Sequence, residues 1–163
     1  MNEENVGDYP RPPRCEPLSH RIRIVRGGEA IVDTHGLESW RVLETFHPPT
    51  YYVPPAAIRP GLLRPNRRRT LCEWKGEASY FDVLVGDDTI EAGAWTYRHP
   101  TPAFRAIRDH VAFYPAPFVG GGDGDGCFVG AERVIAQPGS FYGGWLTANI
   151  RGPVKGAPGT THW

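Results

Sequence analysis

The chain has no surplus of charge. Lys and Arg number 18 and Asp and Glu number 18, a formal net charge of +0 over 163 residues. A balanced chain has no global field to draw it onto nucleic acid or an anionic membrane, so neither partner is expected. Cysteine is scarce: Cys15, Cys72 and Cys127 lie far apart and none belongs to a Cys-x-x-Cys pair. An odd, scattered set argues against a disulfide framework and makes a four-cysteine zinc site improbable. No metal and no cofactor is expected. No apolar run approaches the length of a membrane-spanning helix. The opening MNEENVGDYPRPP is acidic and then proline-rich, without the apolar stretch of a secretory leader. The expectation is a soluble, cytoplasmic protein.

What is present is Gly (20) and Pro (17), which favour turns and short strands over long helices. The length suits one domain and suffices for a core without covalent staples. Residues 1–19 read as an extended arm, because Pro10, Pro12, Pro13 and Pro17 forbid helix. The domain is expected over 20–150 and a Gly/Pro-rich tail over 151–163. RIRIVRGGEAIVD (21–33) reads as a β-hairpin turning at Gly27-Gly28, where glycine permits positive φ. VLVGDDTIEAG (83–93) and CFVGAERVIAQ (127–137) repeat that pattern. SWRVLETF (39–46) alternates as a strand. PPAAI (54–58) suits a single helical turn, and RPNRRRT (64–70) a polar loop before a strand at Leu71–Trp74. TPAFRAIRDHV predicts one short helix near 102–110, with Thr101 as cap, Pro102 at the first position and Phe104, Ile107 and Val111 on one face. FVGGGDGDG (118–126) reads as a flexible connector.

Strand periodicity gives the candidate site. In TIEAGAWTY, Ile90, Ala92 and Ala94 point one way while Glu91, Gly93, Trp95 and Tyr97 point the other. The second face offers an acid, a gap and two rings with polar atoms, which suits a ligand pocket; it equally suits a solvent-facing acid beside core aromatics. In SWRVLETF, Trp40, Val42, Glu44 and Phe46 share a face. A carboxylate on an apolar face needs a partner, and Lys75 is the candidate, either as a structural pair or as a tuned acid–base pair. His47 is a candidate general base, and Cys72 a nucleophile if His47 or Lys75 activated it; both also read as inert structural residues. Trp74, Tyr80 and Trp95, with Tyr51, Tyr97 and Glu91, are the candidate ligand-binding set.

Several strings then fit together in order: DYPRPP (8–13), LETFHPPTYYVPP (43–55), CEWKGEASYFDV (72–83), EAGAWTY (91–97), AIRDHVAFY (106–114), QPGSFYGGW (137–145) and GPVKGAPGT (152–160). They resemble the bacterial family catalogued as domain of unknown function 427 over most of the chain. The resemblance implies a mainly β, antiparallel fold of the tent-like or open-barrel type. It implies no agreed activity. By fold-level analogy, tent folds bind small ligands in aromatic cages. The chain departs from the family pattern at Phe46, where a small hydroxyl residue is expected, and at Glu73, where a proline is expected. A nucleotidyltransferase-like label attached to the family implies a Gly-Ser turn and spaced carboxylates holding Mg²⁺. The close pair here, Asp123 and Asp125, sits instead in the Gly-rich connector. GGGDGDG lacks the Lys-Ser/Thr of a phosphate loop, and Arg67-Arg68-Arg69 reads as a solvated basic loop.

Two further functions stay open beside the ligand-binding module, whose partner would be an unidentified small molecule. One is a small enzyme using Glu44, Lys75 and His47. The other is a protein-interaction adaptor using the proline-rich arm. The protein is expected as a monomer or homodimer.

Overall fold

A computed structural model describes residues 1–120, 122, 124–137 and 143–157. Strand accounts for 49% of it and helix for 10%, so the fold is mainly β. The largest sheet joins Leu63–Cys72, Gly76–Val85, Asp88–Tyr97 and Val111–Phe113, each antiparallel to its neighbour. A second antiparallel sheet holds Ile22–Arg26, Glu29–Asp33, Gly126–Val129 and Glu132–Arg133. A third joins Arg14–Leu18, Ser39–Leu43 and Thr50–Tyr52. Two short pairs complete the described residues: Ile135–Ala136 with Trp145–Leu146, and Glu4–Asn5 parallel to Ile150–Arg151. The sheets form an open arrangement and no closed barrel.

The expected hairpins are present, with Gly27 and Gly28 at φ 63° and 78° and Gly86 at φ 58°. Glycine suits these turns because it carries no Cβ to clash at positive φ. The short helical turn lies at Pro55–Ala57.

Alternation divides the interior. Ala94, Val111, Phe113, Tyr51 and Val53 enter one core with Ile22, Ile24, Leu62 and Trp145. Their neighbours Trp95, Ala112 and Tyr52 enter a second core with Tyr80, Tyr97, Phe104 and Ile107. Strands buried on both faces contribute large apolar area to each side, about 1.5–3 kcal/mol for each fully buried aliphatic or aromatic side chain. Val53 and Val111 exchange backbone hydrogen bonds of 2.8 and 2.9 Å and so stitch the third sheet to the largest.

Several expectations are corrected. Residues 1–19 are more than a surface arm. Arg14–Leu18 pairs along its whole length with Ser39–Leu43, while Val6 and Tyr9 are buried with Leu43, Ile150 and Val154 in a third cluster. The RPNRRRT segment is strand, accommodated by a register shift between Asn66 and Arg69. The helix near 102–110 shortens to 3₁₀ turns at Pro102–Ile107, kinked at Phe104. Thr101 does not cap it: its hydroxyl donates to the Trp74 carbonyl at 2.6 Å. Val111 then enters a strand, facing a different core from Phe104 and Ile107. The strand at 39–46 ends at Leu43, and Phe46 turns at φ 63°. Phe46 therefore packs with the third cluster and not on the Trp40–Val42 face.

Candidate functional site

On the second core's side a cleft of about 190 Å³ opens between the largest and third sheets. Its aromatic wall follows from strand register. Tyr80 lies directly opposite Trp95, and Ala78 opposite Tyr97, on adjacent antiparallel strands. Cross-strand partners share a face, so all three rings project together. Tyr52 arrives from the third sheet, where it pairs with Trp40. Its hydroxyl accepts a hydrogen bond from the Trp95 indole N–H at 3.3 Å, and the two rings meet edge to face at 89°. Tyr114 stands beyond, its ring centroid 4.7 Å from that of Trp95.

Lys75 is placed by a tight turn. Cys72 pairs with Gly76 across the three residues Glu73, Trp74 and Lys75. Gly76 adopts φ 105°, and a Cβ there would stand 3.3 Å from the His99 carbonyl oxygen. Only glycine meets both demands without strain. Thr101 clamps the turn from outside: its N–H donates to the Lys75 carbonyl at 3.0 Å while its hydroxyl holds that of Trp74. Lys75 thereby lines the cleft, its ammonium 5.9 Å from the centre of the Tyr97 ring. Among the described residues it forms no ion pair, its side-chain contact being with the Cys72 thiol, and the Tyr97 hydroxyl faces the cleft without a hydrogen bond among them.

The opposite wall is His47. The Glu44–His47 turn closes with a 2.9 Å bond from the His47 N–H to the Glu44 carbonyl. His47 Nδ1 lies 2.9 Å from the Thr45 carbonyl oxygen. That oxygen can only accept, so Nδ1 carries the proton and Nε2 is left as an acceptor. At the third edge, Gly143 and Gly144 lie against Trp95 and Gln137. A Cβ on Gly143 would stand 2.1 Å from Trp95 Cη2, and one on Gly144 would stand 2.5 Å from Gln137 Oε1. Gln137 is tied on both ends, its Oε1 accepting from the Gly144 N–H at 3.2 Å and its Nε2 donating to the Lys155 carbonyl at 2.6 Å.

The electrostatics are set by burial. Burial opposes the charge on Lys75, but the Tyr52 phenol, the Cys72 thiol and the Glu44 carboxylate outweigh it and raise its pKa above the ordinary lysine value. Burial lowers the pKa of His47, with Glu44 offsetting in part and Lys155 and Arg11 adding to the depression. Burial also raises Tyr52 and Tyr97, and pushes Tyr114 up to about 12. At neutral pH the cleft therefore presents an ammonium, a neutral imidazole and protonated phenols.

Of the residues singled out in the sequence, Lys75, Tyr80, Trp95, Tyr97 and His47 meet in this cleft. Glu44 stands behind His47, 3.9 Å from its Nδ1, and pairs with Arg11 at 3.2 Å rather than with Lys75. Trp74 is half-buried against the second core without lining the cleft. Tyr51 faces the first core, edge-on to Trp145 at 5.4 Å. Glu91 is exposed to solvent, because a bulge interrupts the alternation at residues 91–93. Cys72 is half-buried beside Lys75. Neither departure shapes the cleft: Phe46 belongs to the third cluster and Glu73 is exposed.

Tyr52, Thr50, Tyr114, Gln137 and the Gly143-Gly144 pair were missed in the sequence. Alternation carried a signal for two of them. Tyr52 opposes Trp40, so it shares the face of Trp40 and Val42, and Tyr114 follows Ala112 by two. Larger hollows lie elsewhere, one of about 290 Å³ beside Ile58, Leu62 and Phe81 and one of about 640 Å³ beside His20, His35 and Leu37. Neither joins a cluster of aromatic rings to a lysine. Among the described residues no three His, Cys, Asp or Glu side chains gather as a metal-holding group. Asp125 accepts hydrogen bonds from the Gly27 and Gly28 N–H groups at 2.8 and 3.0 Å, so it fastens the connector to a hairpin; Asp123 lies outside the described residues. No helix among the described residues is long and apolar enough to cross a membrane.

The family model described as a domain of unknown function (DUF427) matches residues 14–129. That span carries every cleft residue except Gln137, Gly143 and Gly144. No curated protein matches the chain.

Proposed function

The chain belongs to the DUF427 family, and from that premise we propose that it is a small-ligand-binding module whose ligand occupies the cleft between Lys75, Tyr80, Trp95 and Tyr97. The observation that carries the reading is a pair of polar groups facing an aromatic hollow. These are the Lys75 ammonium, without an ion pair among the described residues, and the Tyr97 hydroxyl, without a hydrogen bond among them. Tyr97 is only 4% exposed. A ligand that accepts from that hydroxyl and from the ammonium gains two hydrogen bonds, one of them charge-assisted, against aromatic walls. A convergence of few polar groups on aromatic walls is the usual makeup of a ligand site.

The acid–base alternative is less well supported. It needs a neutral lysine beside a free carboxylate, whereas Lys75 is held charged and Glu44 is paired with Arg11. The three free thiols suit a cytoplasmic setting, which is part of the same proposal.

A thermal-shift screen of the full chain against a metabolite library tests the reading. At least one compound should raise the melting temperature saturably, and Tyr97→Phe, which keeps the ring and removes the hydroxyl, should weaken it. Stabilising compounds whose effect is unchanged in Tyr97→Phe and Lys75→Met would place binding elsewhere and overturn the proposal.

A further inference from the structure

The charges around the cleft are one-sided. Lys75 lines it. Arg68 lies over the Tyr80 ring, its guanidinium carbon 4.8 Å from the ring centre, with no ion pair among the described residues. Behind His47 stand Arg11 and Lys155, and the carboxylate there, Glu44, is paired with Arg11. Glu91, the other acid suggested by sequence alternation, is exposed to solvent. Among the described residues, no carboxylate lines the cleft.

The donors also have one character. Lys75 and the hydroxyls of Tyr97, Tyr52 and Thr50 offer hydrogens, and Gln137 Nε2 is already committed to the Lys155 carbonyl. Among the described residues the site thus offers one inward cation and hydroxyl donors, with the His47 Nε2 acceptor on the opposite wall. Among the described residues it has no guanidinium fork and no run of backbone N–H groups, the arrangements that hold phosphate dianions. A second negative charge would be desolvated among aromatic rings with no second lining cation among the described residues to pair it. The volume is also small, about 190 Å³, below the range of about 300–1,000 Å³ typical of drug-sized sites.

We infer that the ligand of this cleft is a small organic monoanion, a carboxylate on a compact flat body. Its carboxylate sits on Lys75 Nζ and the Tyr97 hydroxyl, and its body lies against Trp95 and Tyr80. This inference rests on the binding reading above and narrows it to a chemical class. Tyr97 supplies a neutral donor to the second carboxylate oxygen, because its phenol stays protonated. Arg68 over the Tyr80 ring adds positive potential on that side of the cleft, which favours an anion.

The test uses matched probes on the full chain: benzoate, benzamide and benzylamine, then cyclohexanecarboxylate with its amide and amine. Binding is followed by the assigned indole N–H resonance of Trp95. The acid of each set should bind at least tenfold more tightly than its amide, and the ammonium form should not saturate. Lys75→Met should erase the preference for acid over amide, while Lys75→Arg retains it; the wild-type ranking needs no variant to fold. Amides or amines binding as tightly as acids would overturn the anion inference and leave the binding reading intact. Failure of acids, amides and amines alike to perturb Trp95 would overturn both.

Discussion

The Asp82 carboxylate accepts the backbone N–H of Ala92 at 2.9 Å, at the bulge that changes which way three residues of the neighbouring strand face. Phe81 pairs with Ala94 and Val83 with Ile90, so Asp82 alone opposes Glu91, Ala92 and Gly93. Ala92 takes φ 49° in the resulting bulge. Its methyl joins the second core, while a Cβ on Gly93 would stand 2.7 Å from Ile90 Cγ2 in the first. Both are inverted relative to simple alternation, and Glu91 swings to solvent.

Asp82 also accepts from Asn66 Nδ2 at 2.8 Å and Arg64 Nη2 at 3.0 Å. Asp82→Ala removes its hydrogen bonds to all three residues and leaves the Ala92 N–H unpaired. The expected loss is about 1–3 kcal/mol, read as a lower urea midpoint. An unchanged midpoint would show that the bulge holds without its carboxylate.

Gly143→Ala places a methyl carbon 2.1 Å from Trp95 Cη2 and 2.9 Å from Cζ3. The indole is held by Tyr52 and Tyr114, so it yields little. Overpacking of this kind costs about 1–3 kcal/mol, and the Trp95 indole N–H resonance should shift. A variant with both values of the wild type would contradict the close packing.

His47 gives the stability a pH dependence. Its folded pKa lies below the ordinary value of about 6.5, because burial disfavours the imidazolium. Between the folded value and about 6.5 the unfolded chain binds a proton that the folded chain refuses. Stability is therefore greatest above that window, falls as pH drops through it, and levels off below the folded value. Melting temperatures from pH 7.5 downward should show this decline, and His47→Gln should flatten it. Identical slopes in both proteins would assign the effect to other groups.

Arg41 ties the amino-terminal segment to the third sheet. Its Nη2 reaches Glu4 at 2.8 Å and Glu16 at 2.6 Å, and Tyr9 donates to Glu4 at 2.7 Å. Arg41→Met leaves two half-buried carboxylates without their cation. A double-mutant cycle with Glu4→Gln should give a coupling of about 1 kcal/mol or more by urea denaturation. Additive effects would mean that the pair contributes nothing beyond its separate parts.

Much of this was legible in the sequence. Gly-Gly and Gly-Asp pairs between β-branched runs gave the hairpins, because turn chemistry is local. Trp95 and Tyr97 were legible as sharing a face for the same reason, since alternation needs only the strand's own residues; Tyr80, on the next strand, was legible only as an aromatic near the family strings. The same rule placed Glu91 and Gly93 wrongly where Asp82 breaks the ladder. Thr101 read as a helix cap, since nothing in its neighbourhood shows that Trp74 offers a carbonyl.

The sequence alone determined a β fold of hairpins and an aromatic face on the strand that carries Trp95 and Tyr97, although it read as strand at Leu71–Trp74, where the chain turns after Cys72. Tertiary structure alone decided the rest: Tyr52 arriving from another sheet to meet Trp95, Glu44 captured by Arg11 so that Lys75 stands apart, and residues 14–18 entering a sheet. Periodicity and turn propensity act over a few residues. Pairing of charges and docking of sheets join groups tens of residues apart, and only the assembled chain brings them within reach.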